Sequence, residues 1–77
     1  MGTLPSDDLP LHKHCIRVER KYITFDLREN ARGRFLRITE EVSGWRNSII
    51  IPLTGVDNFG DALSEVIRFS RTLSPRI

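Results

Sequence analysis

The apolar residues of this chain change their period at Pro52. Before it they alternate with polar residues, as in strands with one face turned inward; after it they recur every three or four positions, as on one side of a helix. Several strands and one helix make a small α+β unit, and 77 residues suffice for at most one such domain. A core this small is marginal unless a metal, a disulfide or another chain supplements it. Cys15 is the single cysteine, which excludes an internal disulfide, and with His12 and His14 it falls short of a structural zinc's ligand set. An obligate oligomer is the supplement that remains.

The alternation divides into four strands. In 14–20, Ile16 and Val18 alternate with Arg17 and Glu19. In 21–30, Ile23, Phe25 and Leu27 share one parity, leaving Thr24, Asp26 and Arg28 on the other. Asn30-Ala31-Arg32-Gly33 reads as a tight hairpin turn, with Gly33 where a left-handed conformation is needed. In 34–40, Leu36 and Ile38 point inward and Phe35, Arg37 and Thr39 outward. Ser43-Gly44 turns the chain into a fourth strand, 48–51, which Pro52 ends. Ile50 lies on the parity opposite to Ile49 and Ile51, so it needs a cover of its own, and a partner chain would supply one.

Beyond Thr54-Gly55, Phe59, Ala62, Leu63, Val66, Ile67 and Ser70 mark an amphipathic helix over 57–72, with Phe69 and Leu73 beside the stripe. Thr54 and Asp57 are candidate N-caps, and Gly60, which costs about 1 kcal/mol against Ala, suggests close packing. Pro75 prevents further helix. The layout is a flexible N-terminal arm over 1–12, one ββββα unit over 13–73 and a tail over 74–77, without internal repeats.

The net charge of +2 is unevenly spread: nine basic residues face five acidic ones from Lys13 to Arg46, giving +4, while the preceding segment carries −2 and the following one none. The middle of the chain therefore suits an anionic partner. Enzymatic constellations are absent: there is no Gly-rich phosphate loop, nucleophile elbow or HExxH, so no catalytic residue, cofactor or metal is expected. No apolar run approaches the roughly 20 residues that span a bilayer, and the N-terminus lacks a signal peptide's pattern. A soluble intracellular protein without a membrane partner is expected. Asp26 and Glu29 point to opposite faces, which argues against an acid pair and for pairing with neighbouring arginines.

What survives is the outward face of the second and third strands. Thr24, Asp26, Arg28 and Asn30 lie beside Phe35, Arg37 and Thr39, placing an aromatic ring among guanidinium and amide groups. Such a face can hold single-stranded nucleic acid, its ring stacking on bases and its cations on phosphates. Equally, Phe35 can fill a dimer core with the arginines as a solvated rim. The residues alone leave both readings open.

The stretch KYITFDLRENARGRFLRITE at 21–40, with RNSIIIP at 46–52 and NFGDAL at 58–63, resembles a repeat of the purine-rich element binding (Pur-alpha, PUR) family. The likeness runs over about 14–69 and is most specific in DLREN followed by RGRFLRITE, where agreement falls in a turn and on both strand faces together. It implies a ββββα PUR repeat in which two copies interlock, each helix crossing to the other's sheet, as an intertwined homodimer forming a Whirly-like PUR domain. Strand four and the helix, through Ile50, Phe59, Leu63, Val66 and Ile67, would build that interface. The resemblance further implies binding of single-stranded purine-rich DNA or RNA, with action in transcription, replication or RNA regulation, ATP-independent duplex unwinding, and a nuclear or cytoplasmic location. Carried onto this chain, its contact positions are Lys21, Arg28, Asn30, Phe35, Arg46 and Asn47, and Arg37 shares Phe35's face. Lys21, Arg28, Arg37 and Arg46 would neutralise phosphates, Asn30 and Asn47 read guanine edges, and Phe35 stack on bases or wedge a duplex open. The rival reading is a dimerisation or adaptor module that binds no nucleic acid of its own.

Overall fold

A computed structural model describes residues 9–75. Strands β1 (Leu9–Val18), β2 (Lys21–Asn30), β3 (Gly33–Val42) and β4 (Trp45–Pro52) form one antiparallel sheet in chain order; a 3₁₀ turn (Leu53–Gly55) then leads into helix α1 (Val56–Ser70). This is the ββββα order that the resemblance implies.

The hairpin turns account for the register. Asn30 Oδ1 accepts a hydrogen bond from the Arg32 backbone N–H at 2.9 Å, and Gly33 takes φ +129°, so the β2–β3 turn uses the two residues its sequence singled out. Between β3 and β4, Ser43 and Gly44 both have positive φ, at 47° and 85°, as a two-residue type I′ turn requires. Ser43 occupies a conformation that disfavours L side chains, whereas Asn tolerates it. Ser43→Asn should therefore raise stability by about 0.5–1 kcal/mol, read as a shift of the urea midpoint at constant m.

Several boundaries differ from the expectation. β1 begins at Leu9 rather than at residue 14, because Leu9 and Pro10 pair with Glu29 and Arg28 of β2, and a bulge between Pro10 and His12 absorbs the interruption. His12 is thus a strand residue opposite Leu27, not part of an arm, and the first eight residues of the expected arm lie outside the described residues. β4 starts at Trp45, three residues early. The N-cap of α1 is Gly55, with no side-chain capping bond, so neither Thr54 nor Asp57 has that role. A Cβ built on Gly60 meets nothing within 4 Å, so the close packing expected there is absent inside the protomer.

The larger point is what the helix does not cover. Residues 57–70 are all exposed, and the chain extends over 60 × 31 × 16 Å. Its radius of gyration is 15.9 Å; a compact chain of this length would have about 11 Å. On the sheet, Ile16, Val18, Ile23, Phe25, Leu27, Leu36, Ile38, Ile49 and Ile51 share one face through the cross-strand pairs Ile16–Ile23, Leu27–Leu36, Leu36–Ile51 and Ile38–Ile49. None of them is buried. Among the described residues only Phe35 and Asp26 are buried, and both lie on the other face of the sheet. One protomer therefore has an apolar sheet face and an apolar helix stripe, but no core between them.

Candidate nucleic-acid interface

The register decides which side chains share the second face. Directly opposed residues point to the same side, so the pairs Lys13–Asp26, Asp26–Arg37 and Arg37–Ile50 align Lys13, Asp26, Arg37 and Ile50 across all four strands. Thr24–Thr39–Ser48 forms a parallel row, joined by a 2.9 Å hydrogen bond between the Thr39 and Ser48 hydroxyls. A further row holds Arg28, Phe35 and Pro52, and another Glu41 and Arg46. These rows line an open, polar groove of about 420 Å³ bounded by Lys13, Thr24, Asp26, Arg28, Arg37, Thr39, Glu41, Arg46 and Ser48. Four of those side chains are cations and two are acids.

Asp26 organises the middle of the groove. Its side chain is 7% exposed, and Oδ2 accepts hydrogen bonds from Arg28 Nη1 at 3.0 Å and Arg37 Nη2 at 3.3 Å. The pairing with arginines expected of Asp26 is present, as is Glu29 with Arg34 at 3.7 Å. At the groove's edge Arg46 lies 3.9 Å from Glu41 and is largely exposed, placing a cation over the rim.

Of the seven sequence-derived contact residues, five share this face: Arg28, Asn30, Phe35, Arg37 and Arg46. Lys21 and Asn47 do not. Both fall on the apolar side around Glu40, which pairs with Asn47 across β3–β4 and bonds Lys21 Nζ at 2.8 Å. The hydrogen bond from Lys21 to Glu40, with the carboxylate's charge second, raises the lysine's pKa above its ordinary value. Sequence parity already separated Lys21 from Thr24, Asp26 and Arg28, while the placement of Asn47 depended on the β3–β4 register.

Phe35 is present on the expected face but not as an open platform. It is 9% exposed, between Arg28 and Pro52, and lines an apolar cavity of about 310 Å³ with Asn30, Arg32, Gly33, Arg34, Ile50 and Pro52. Ile50 lines the same cavity but is 60% exposed, so one protomer leaves it without the cover it needs. The exposed aromatic on the face is Tyr22, 48% exposed, with the Arg17 guanidinium 5.5 Å from its ring centroid. Tyr22 has the parity of Thr24 and Asp26, and that signal could have identified it. Lys13 lies outside the expected strand over 14–20, and only the β1 register places it on the groove.

The profile of the family described as "PurA ssDNA and RNA-binding protein" matches residues 3–72. The chain belongs to the PurA family. It is 44% identical over 54 residues to transcription factor Pur-alpha 1 of Arabidopsis thaliana, covering 70% of this chain and 18% of the relative. Against the human transcriptional activator protein Pur-alpha the identity is 42% over 59 residues, covering 68% and 18%; against zebrafish (Danio rerio) transcriptional regulator protein Pur-beta it is 36% over 61, covering 79% and 20%. The chain thus spans about a fifth of the length of these curated relatives and corresponds to a single PUR repeat of the PurA family.

Proposed function

We propose that this PUR repeat binds single-stranded, purine-rich DNA or RNA across its polar sheet face, and that it does so as an intertwined homodimer. The observation that carries the reading is the groove in which Lys13, Arg28, Arg37 and Arg46 converge on one face of a sheet whose other face is apolar. Phosphates seat among the cations, while Asn30 and the cavity beside Phe35 take base edges at the hairpin end. Membership in the PurA family supports the ligand class. The uncovered helix stripe supports the dimer: Phe59, Leu63, Val66 and Ile67 are 37%, 49%, 64% and 40% exposed in one protomer and match the apolar sheet face of a second copy. The protein acts by binding and not by catalysis, in the nucleus or cytoplasm, on transcription, replication or RNA; any duplex opening proceeds without ATP.

Fluorescence anisotropy with a labelled GGN-repeat single strand is the test. The expected result is micromolar or tighter binding that weakens with salt, with a log–log slope of about −0.7 per phosphate contacted. A tight dimer that ignores the oligonucleotide would refute this reading and favour the adaptor alternative.

A further inference from the structure

We propose that Asp26 is a positioning residue for nucleic-acid binding: its buried carboxylate holds Arg28 and Arg37 as one preformed seat for a backbone phosphate. The inference rests on the reading of the polar face as the nucleic-acid interface. A carboxylate in a groove meant for a polyanion is at first sight unfavourable, since its charge repels the ligand. The geometry indicates the opposite net effect. Asp26 is the most buried of the described residues, and one oxygen, Oδ2, receives both guanidinium groups, one from its own strand and one from the neighbouring strand.

Two like-charged guanidiniums on adjacent strands repel, and each long side chain has many rotamers. A phosphate that had to gather them would bear that ordering cost on binding; with Asp26 between them, the cost falls on folding instead. The arginine fork suits this arrangement, because a guanidinium carries five N–H donors and can bond a carboxylate on one side and a phosphate on another. Arg37, with 35% of its side chain exposed, presents such donors to the groove, and Lys13 stands directly across β1 from Asp26.

Stability alone does not call for an acid here. Asp26 Oδ1 is buried without a hydrogen-bond partner among the described residues, a position that is costly for a carboxylate and that an apolar side chain would avoid. A carboxylate in that position suits a role in presenting the arginines.

The test uses the whole chain and a labelled GGN-repeat single strand, with the oligomeric state followed by sedimentation and the fold by circular dichroism. Asp26→Asn should bind about 5–10-fold more weakly despite removing a negative charge from the groove, the loss expected when two side chains must be ordered on binding. Asp26→Glu, which keeps the charge and displaces the carboxylate by one methylene, should also weaken binding. In an Arg28→Gln/Arg37→Gln background, Asp26→Asn should cause no further loss, because nothing remains to be positioned; a merely structural role would act there too. Unchanged or tighter binding by folded Asp26→Asn, wild-type affinity in Asp26→Glu, or an additional loss in the double-glutamine background would each overturn the inference. If Asp26→Asn fails to fold, Asp26→Glu decides. An unmodified chain that does not bind the strand would overturn the underlying reading before any variant is made.

Discussion

Replacing Leu63 and Ile67 together with Asp is expected to leave a chain that does not fold. Both side chains lie on the exposed stripe of α1, and in a single protomer the change would touch nothing buried. A monomeric fold would therefore tolerate it and even become more soluble. In the proposed dimer each helix covers the partner's apolar sheet face, where a fully buried Leu or Ile contributes about 1.5–3 kcal/mol. With two sites in each of two copies, the loss is roughly 6–12 kcal/mol, comparable with the whole stability of a small domain. Circular dichroism should show the sheet signal gone, and sedimentation should find no folded monomer. The unsubstituted chain should have a Tm that rises with concentration, since folding and association are one equilibrium. A double variant that keeps its sheet as a monomer would disprove the swapped arrangement.

The second large effect is at Phe35. Its ring is nine-tenths covered, so Phe35→Ala removes a packed side chain and should cost about 3–5 kcal/mol of stability in each protomer. A loss of binding in that variant therefore reports on folding as much as on recognition. Phe35→Leu separates the two: it retains most of the volume, should remain folded and dimeric, and lacks a flat ring. If bases stack on Phe35 after entering the cavity it lines with Asn30, Ile50 and Pro52, Phe35→Leu should weaken binding by about 1–3 kcal/mol in anisotropy titrations. Equal affinity would assign the ring to packing alone and leave Tyr22 as the exposed aromatic of that sheet face.

Much of the architecture was legible because the signals were local. Alternation in KYITFDLREN placed Thr24, Asp26 and Arg28 on one side of β2; Asn30 and Gly33 marked their turn; the period change after Pro52 marked the helix. Errors arose where a partner strand overruled local composition. Leu9 to His12 read as an arm because Pro10 and the neighbouring prolines and aspartates disfavour a strand, yet pairing with the end of β2 extends β1 through them, with a bulge to absorb the misfit. The same pairing places Lys13 on the groove.

The candidate site shows the same division. Parity and the hairpin turn put Arg28, Asn30, Phe35 and Arg37 on one face and Lys21 on the other, whereas Asn47 joins Lys21 and Glu40 only through the β3–β4 register. Outward parity singles out Phe35, but parity gives the direction of a side chain and not its exposure. Arg28, Ile50 and Pro52 surround the ring, and only register across three strands brings them there.

By itself, then, the sequence determined the order of elements, the turns and the division of β2 and β3 into an apolar and a cationic face, because each depends on residues a few positions apart. The tertiary structure decided the rest: that Asp26 gathers arginines from two strands, that Phe35 is enclosed, and that the helix leaves its own sheet bare. Those outcomes depend on contacts between distant segments, whose strength is set by registration and shared burial and cannot be read from local spacing.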